Sequence, residues 1–475
     1  MIEDPSRPRA PPKPKVGRRG SGCDDAIGST QRAVFKSIFT RRWASLHVNH
    51  RSIAASAALI GVLTIVAKLF VAGREIAIAS RFGTSGLVDS YQLALTITTW
   101  LPMMIASVTA VVVVPRLVAL RTCPVEYRSF VAELNGTMLL LGLTVAALTL
   151  IAAPTAAALM ASAENWQTRE LTSTLSQEMA PLAFLTVATA YFSVRLQALQ
   201  RFAYSITEAV PALAIALFVL LPGELSGSTR LAFGTLIGFL LQALLLGGLT
   251  QSEDVSVGGF KVRHRSAEWR PLYRSALLMF AGQIMIALTL PIDQAFAARL
   301  GPGAVASLGY ANRIIILATS LGGIVLARAL LPVLSAAVAT GDRELAARHA
   351  REWAWLLMGL GALGSAAAFL LSDWAVSLLF ERGAFTRADS IAVAAIVRAG
   401  ALQLPFYFAG LALVQWLAAL GRYSTLLLIA CVALALKLTM NFLLVPIFGL
   451  QGLMIATAAM YALSFAWQYY TARKS

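Results

Sequence analysis

The predicted membrane-spanning segments of this chain contain charged residues, which are costly in hydrocarbon unless they face a cavity or a partner. The basic residues within these segments are Lys68, Arg74, Arg313, Arg328, Arg398 and Lys437. The acidic residues are fewer, chiefly Glu75, Asp89 and Asp293. A water-filled cavity with surplus positive charge suits an anionic cargo, and guanidinium groups suit phosphate in particular because their planar donors match its oxygens.

Lys68, Arg74 and Arg313 are predicted to reach one shared cavity. Lys68 lies near the middle of the first apolar segment, and Arg74 follows nearly two turns later. Arg313 lies within the eighth segment, several residues in from its outer end. It is therefore expected to face the same vestibule as Arg74. Because successive helical residues are rotated by about 100°, Lys68 and Glu75 share a face. A structural ion pair between them is the alternative interpretation.

Two carboxylates in other segments have two interpretations each. Asp89 opens the second segment, and Asp293 follows Pro291 in the seventh. Either would suit a coupling site for a proton or a sodium ion, since acidic groups at such positions often couple gradients. The alternatives are a helix N-cap for Asp89, a position that Asp favours, and a salt bridge to a buried cation for Asp293.

The eleventh segment carries Lys437, with Asn441 one turn further on the same face. The predicted substrate-binding residues are Lys68, Arg74, Asp89 and Arg313, and the predicted cavity or coupling residues are Glu75, Asp293, Arg398, Lys437 and Asn441. For Lys437, Arg398 and Arg328 the alternative is snorkelling to an interface or bonding to backbone exposed near a proline.

The composition is that of a membrane protein. Apolar residues make up 58% of the chain, charged residues 13%, and the mean hydropathy is +0.72, values far from those of a soluble domain. Stretches long enough to cross about 30 Å of hydrocarbon begin near residues 53, 89, 130, 178, 205, 230, 271, 305, 344, 388, 423 and 450. The sequence therefore predicts an all-α polytopic membrane protein with about twelve transmembrane helices.

A loose repeat indicates two similar halves. The run from Ala79 to Pro115 is echoed from Ala298 to Pro332, with a tyrosine at Tyr91 answering Tyr310. An even number of spans in each half predicts two six-helix lobes related by a pseudo-two-fold axis along the membrane normal, an arrangement common in secondary transporters.

The predicted domains are a basic tail, two lobes and a linker. Residues 1–52 have almost nothing that could form a core and are expected to be a disordered cytoplasmic tail. Within that tail, residues 31–48 fit either a basic amphipathic helix on the inner leaflet or an unstructured basic linker. Residues 53–250 form the first lobe, 251–270 a cytoplasmic linker and 271–475 the second lobe.

The distribution of basic residues predicts the orientation. Most of the 39 Lys and Arg fall in segments that are cytoplasmic if the N-terminus is inside, as the positive-inside rule requires. Both termini are then cytoplasmic, and the net charge of +16 reflects topology and attraction to anionic lipids rather than nucleic-acid binding. Three cysteines imply neither a disulfide framework nor a metal site.

Enzymatic signatures are not found in the sequence. No phosphate-binding glycine-rich loop is present, and His47 and His50 have no Cys, Asp or Glu nearby to complete a zinc site. We therefore expect neither an enzyme nor a cofactor. Energy is expected to come from a Na⁺ or H⁺ gradient, from the membrane potential or from the gradient of the substrate.

The chain resembles the MurJ/MviN-type lipid II flippases, within the superfamily of multidrug, oligosaccharidyl-lipid and polysaccharide exporters. The resemblance runs from about Gly61 to Trp467 and is most specific in the string from Leu379 to Thr386. Further strings that carry it are residues 72–91, 310–313, 327–335 and 441–457. It implies a bacterial inner-membrane flippase in which Lys68, Arg74, Asp89 and Arg313 handle the diphosphate and sugar head group of an undecaprenyl-linked precursor.

Three departures from the family pattern bear on the cargo. Leu101-Pro102-Met103 stands where the family often has an Arg pair, Ile316 stands where an acid is common, and Ser475 follows about twelve spans without the usual extra pair of helices. We therefore expect either lipid II or an exopolysaccharide repeat unit as cargo. Glycosyltransferases or polymerases of the same pathway are expected partners, and an ion-coupled multidrug exporter and a non-transporting scaffold are the alternatives.

Overall fold

The computed structural model describes residues 48–161, 165–201, 204–254, 259–264, 266, 268–320 and 343–474. The chain divides into two compact units, residues 1–61 and 62–475. The structure describes residues 48–61 of the first unit, all of them helical, and most of the second unit. The predicted amphipathic helix at 31–48 lies outside the described residues apart from Val48, and Arg328 lies outside them as well.

The described part of the chain is helical and contains no strand. The first half contains α1 (Val48–Phe82), α2 (Gly86–Leu120), α3 (Pro124–Met160), α4 (Trp166–Glu178), α5 (Pro181–Ala198), α6 (Tyr204–Thr207), α7 (Ala209–Leu220) and α8 (Gly227–Glu253). The second half contains α9 (Trp269–Ala287), α10 (Thr289–Ala297), α11 (Ala304–Ser320), α12 (Arg343–Phe380), α13 (Arg387–Ala401), α14 (Leu404–Ala419), α15 (Tyr423–Phe448) and α16 (Leu450–Arg473).

The prediction of an all-α polytopic membrane protein is confirmed. Among the described residues, eight helices are long and apolar enough to cross a bilayer, and a ninth span is formed if the bent pair α4 and α5 counts as one. That pair bends by 50° at Pro181, which begins α5 and lacks the amide hydrogen that a continuous helix would use. The remaining predicted spans coincide with α1 and with two shorter apolar helices, Tyr204–Leu220 and Ala304–Ser320.

Three apolar cores show how the two halves pack. The largest draws side chains from both halves, for example Tyr91 and Leu93 from α2 and Tyr310 from α11. A second core belongs to α12, α14 and α16 of the second half and surrounds the fully buried Trp416. The third belongs mainly to α2, α3 and α5 of the first half. The halves therefore share their largest core at one end, here called the closed end, and the third core adds a smaller contact between them through Trp269 and Leu272 of α9.

The segment between the two lobes is docked on α3. The Lys261 amide donates to the carbonyl of Ala132 (2.9 Å), and the buried Glu133 carboxylate accepts from the Trp269 indole (2.7 Å) and the Ser266 amide (3.2 Å). A side chain on Gly136 would place its Cβ 2.3 Å from the Lys261 carbonyl oxygen, so only glycine permits this approach. The start of α9 is thereby fastened to the first lobe.

Candidate functional site

The carboxylate of Glu75 binds a guanidinium from each lobe. Its Oε1 atom accepts from Arg74 Nε at 3.1 Å and lies 3.2 Å from Arg313 Nε; a second contact joins Arg74 Nη2 to the same oxygen. Arg74 and Glu75 are neighbours on α1, whereas Arg313 comes from α11. The Glu75 side chain is buried, that of Arg74 is 14% exposed and that of Arg313 is 43% exposed.

This arrangement leaves a surplus positive charge. Two guanidinium groups share one carboxylate, and each guanidinium has five donors of which Glu75 engages only one or two. Because the Arg313 side chain remains accessible, an anion can reach it without displacing other residues. The cluster formed by Arg74, Glu75 and Arg313 is hereafter called the guanidinium site.

Lys68 pairs with a residue other than Glu75. Its ammonium is 3.5 Å from the carboxylate of Glu208, at the start of α7, and both side chains are about half exposed. The alternative of a Lys68–Glu75 ion pair is thus not what the structure contains, since Glu75 is occupied by Arg74 and Arg313. An exposed pair of this kind contributes little to stability and leaves the ammonium accessible to an anion.

Asp89 joins the two lobes through backbone hydrogen bonds. Its two carboxylate oxygens accept from the amides of Gly303 (2.5 Å) and Ala306 (2.7 Å), which are the free donors at the start of α11. The residue predicted to cap its own helix or to bind substrate therefore caps a helix of the other lobe. A buried carboxylate engaged in this way accepts hydrogen bonds from the free amides at the helix start, and the partial positive charge of that helix end stabilises the negative charge of the carboxylate.

Further contacts seal the closed end. The Ala384 amide donates to the Ser80 carbonyl (2.8 Å), and the buried Tyr310 hydroxyl donates to the Gly83 carbonyl (3.1 Å). Thr84 donates to the Asp389 carboxylate, which also receives a capping bond from the Thr386 amide at 2.7 Å. Loops from both lobes are thus joined by direct hydrogen bonds.

Three glycines make this contact possible. Gly83, Gly303 and Gly383 have positive φ angles of +58°, +83° and +62°. A Cβ atom would lie 2.6 Å from the Ala384 carbonyl oxygen at Gly83, and 2.4 Å from that of Thr84 at Gly303. At Gly383 it would lie 2.1 Å from the Ser80 carbonyl oxygen. Each position requires glycine for two reasons: its backbone has a positive φ angle, and the opposite lobe approaches too closely for a Cβ atom.

An ordered ion pair lies beside this seal. Glu381, which follows α12, accepts from Arg387 at 3.0 Å. Hydrogen bonds from Ser377 and then from Arg387 hold the pKa of the Glu381 carboxyl below its usual value. The loop from Leu379 to Thr386, which carries the most specific family resemblance, contacts Ser80 and Gly83 of the first lobe.

The remaining predicted residues form two ion pairs in the second lobe. Lys437 binds Asp293 (2.7 Å), and Asn441 donates to the same carboxylate (3.3 Å). Arg398 pairs with Asp373. Asp293 therefore has the buried salt bridge that was one of its two interpretations, and the structure brings neither pair into contact with the guanidinium site.

The sequence identified the charged residues in the membrane-spanning segments but not the residues that bind them. Glu208, Asp373 and Thr84 were not selected, because an isolated polar residue has no periodic signal that identifies its partner. Gly383 did carry a signal, since it lies in the most specific string of the resemblance, but its contact with Ser80 joins residues that are far apart in sequence.

A family model and several curated relatives indicate the same family. Residues 78–475 match the family described as "Lipid II flippase MurJ". A probable lipid II flippase MurJ of Bdellovibrio bacteriovorus is 28% identical over 300 residues, covering 60% of this chain and 55% of the relative. The lipid II flippase MurJ of Burkholderia cenocepacia is 32% identical over 48% of this chain and 44% of its own length. The chain thus aligns with about half the length of these curated relatives.

Solved structures show the same fold. A lipid II flippase MurJ in an inward closed conformation superposes with a TM-score of 0.73 at 18% identity, over 88% of this chain and 87% of the other. An inward-facing multidrug transporter of the MATE family gives 0.70 at 13% identity, over 88% and 97%. With a two-lobe helical fold and a sequence match over most of its length, the chain belongs to the lipid II flippase MurJ family.

Proposed function

We propose that this protein is a flippase that moves an undecaprenyl-diphosphate-linked saccharide from the inner to the outer leaflet. The observation that carries the proposal is the guanidinium site, where Arg74 and Arg313 from opposite lobes share Glu75. A diphosphate cannot cross hydrocarbon unpaired, because burial of an uncompensated charge is prohibitive. Guanidinium groups from both lobes supply the bidentate donors that match phosphate oxygens.

The proposed mechanism is alternating access. The head group enters at the end opposite the closed end, binds Arg313 and Arg74, and uses Lys68 as a further accessible cation. Because the two arginines belong to different lobes, an anion that binds both draws the lobes together around it. Opening then requires the hydrogen bonds of Asp89, Ser80 and Gly83 at the closed end to break.

Two saccharide cargoes are compatible with the site. The names of the curated relatives favour lipid II, whereas the residues of the guanidinium site recognise the diphosphate that both cargoes share. Depletion of the protein in its native cell tests this choice, because the undecaprenyl-linked intermediate that accumulates on the inner leaflet is the cargo. Accumulation of a peptidoglycan precursor would select lipid II, and accumulation of a polymer repeat unit would select the alternative.

A multidrug exporter is the second candidate. It is favoured by similarity to a probable multidrug resistance protein NorM of Chromobacterium violaceum, 30% identical over 39% of each chain. An exporter of cationic drugs needs an acidic cavity, and the surplus charge of the guanidinium site is positive. Transport of a cationic dye by the purified protein, with no movement of a diphosphate lipid, would replace the flippase proposal with this one.

The setting of the flippase is part of the proposal. We place the multi-pass chain in the bacterial inner membrane with both termini in the cytoplasm, where anionic lipids and the glycosyltransferases or polymerases of the pathway are its partners. A Na⁺ or H⁺ gradient or the membrane potential supplies the energy.

Charge reversal at either arginine should abolish transport. In proteoliposomes that contain a fluorescent undecaprenyl-diphosphate saccharide, Arg74→Glu and Arg313→Glu should stop the leaflet exchange measured by dithionite quenching, because the diphosphate meets an added negative charge. Both variants should still insert, as judged by membrane fractionation. Arg169→Ala, which removes an exposed guanidinium on α4, serves as control and should leave exchange unchanged. Full activity in both reversal variants would refute the site assignment.

A further inference from the structure

The second lobe contains an ammonium group enclosed by oxygen atoms. Lys437 is 1% exposed, although it lies in α15, an apolar membrane-spanning helix. Its Nζ atom lies 2.7 Å from Asp293 Oδ2 and 2.6 Å from Thr457 Oγ1. Asp293 belongs to α10 and Thr457 to α16, so three helices meet at one positive charge.

The polarity of these contacts is fixed by the neighbouring groups. The Thr457 hydroxyl donates its hydrogen to the Leu453 carbonyl (2.9 Å), so the lone pairs of its oxygen are free to face the ammonium. The Asn441 amide nitrogen donates to Asp293 Oδ1 (3.3 Å). The carbonyl oxygen of the same side chain is buried and has no hydrogen-bond partner. The cluster therefore presents a carboxylate oxygen and a hydroxyl oxygen to a single cation, and the Asn441 amide group binds the same carboxylate.

Oxygen ligands of these types are those that alkali cations bind in proteins, since hard cations prefer carboxylate, carbonyl and hydroxyl oxygens. Without the ammonium, the buried Asp293 carboxylate would need another positive charge. The lysine side chain supplies one that cannot diffuse away. Lys437 also differs from Lys68 and Arg313, whose side chains are 48% and 43% exposed and can meet a cargo.

We propose that the Lys437 ammonium is a tethered monovalent cation that occupies an ion site in the second lobe, so that this lobe binds no free sodium ion during transport. The proposal goes beyond the flippase function and does not depend on its cargo. It narrows the energy source, because a sodium gradient then has no binding site at Asp293. The position of the cation is also structural, since it joins α10, which begins just after the break at Leu288, to α15 and α16.

The test compares the melting temperature Tm of the purified full chain in sodium chloride and in choline chloride at equal ionic strength. The wild-type protein should show the same Tm in both salts. Lys437→Ala should lower Tm in choline, and added sodium should restore it by several degrees in a saturable manner, because a ligand that binds only the folded state stabilises it. Methylammonium, which replaces the deleted ammonium, should do the same.

Two controls isolate the site. The double variant Lys437→Ala with Asp293→Asn should lose the response to sodium, because the carboxylate that attracts the ion is gone. Lys68→Ala removes an accessible ammonium at a site without a buried acid. Its Tm should be the same in sodium chloride and in choline chloride, as for the wild-type protein.

The outcome on the wild-type protein decides the proposal even if Lys437→Ala fails to fold. A sodium-dependent increase in wild-type Tm that Asp293→Asn abolishes would overturn it, because the site would then bind a free ion beside the lysine. A folded Lys437→Ala that responds to neither sodium nor methylammonium would overturn it as well. Lys437→Gln, which keeps a hydrogen-bonding side chain, provides a second variant with the same expected sodium response.

Discussion

Glu75 is the residue that organises the guanidinium site. A carboxylate paired with one arginine would leave a neutral ion pair, but here one acid serves Arg74 and Arg313. The site therefore combines order with an available positive charge. Because Arg74 is mostly buried and Arg313 is nearly half exposed, the first holds the carboxylate in place while the second is the more accessible group for an anion.

Neutralising this acid should expose the site to free anions. Glu75→Gln removes the counterion of the mostly buried Arg74, and loss of one partner of a buried ion pair costs about 3 kcal/mol or more. We expect the variant to have a lower Tm than wild type. We also expect pyrophosphate to raise the Tm of Glu75→Gln more than that of wild type, because pyrophosphate no longer competes with the Glu75 carboxylate for the two guanidinium groups. Equal stabilisation of both proteins by pyrophosphate in thermal-shift measurements would contradict this interpretation.

The sequence identified the charged residues of this site but not how they pair. Lys68, Arg74 and Arg313 stand out because basic residues are rare in apolar segments, which is a local property. Pairing depends on which helices meet: the helical-wheel argument on α1 alone could offer only Lys68 as an alternative partner of Glu75, whereas Glu75 binds Arg313 of α11 in the other lobe. Asp89 illustrates the same limit, because the helix that it caps lies in the second half.

At the scale of elements, loops as well as helices hold the lobes together at the closed end. The turn after α1 and the turn after α12 touch through backbone atoms, which explains why glycine occupies positions 83 and 383. The helices themselves were predictable, since every predicted apolar stretch coincides with a helix or a helix pair. The loop contact was not, because it joins residues about three hundred positions apart.

Gly383→Ala should loosen the closed end. The added Cβ would lie 2.1 Å from the Ser80 carbonyl, so the Ala384–Ser80 hydrogen bond cannot keep its geometry. We expect faster hydrogen exchange in peptides that cover residues 300–307 and 381–389. Gly421→Ala is a matched control, because Gly421 has a similar φ of +68° but a Cβ added there would have no neighbouring atom within 4 Å. Both variants carry the backbone strain of alanine at positive φ, about 1 kcal/mol or more.

A response of similar size in both variants would show that backbone strain, rather than contact between the lobes, controls exchange at the closed end.

At the scale of the molecule, the distribution of apolar cores matches a two-lobe carrier. One core spans both lobes, one belongs to the second lobe, and one belongs mainly to the first lobe but includes Trp269 and Leu272 of α9. Each lobe therefore has packing of its own that can persist when the contact at the closed end changes. The pseudo-symmetric tyrosines Tyr91 and Tyr310 are both buried in the shared core, where the sequence repeat had placed equivalent residues in the two halves.

The predicted orientation can be tested with a natural cysteine. Cys123 is exposed in the turn between α2 and α3, which is cytoplasmic if the N-terminus is inside. In a Cys23→Ser, Cys431→Ser background, a membrane-impermeant maleimide should label Cys123 in inverted vesicles and not in intact cells. Labelling in intact cells with no labelling in inverted vesicles would reverse the topology and, with it, the proposed direction of transport.

Glu75 also bears on how such a carrier resets. In the proposed alternating-access cycle, the protein returns with its binding groups empty after releasing its cargo, and two unpaired guanidinium groups would recruit chloride or phosphate from solution. Each turnover would then drag a small anion back across the bilayer and dissipate part of the gradient. The Glu75 carboxylate supplies that negative charge from the chain itself, so the unloaded carrier would return without transporting an anion.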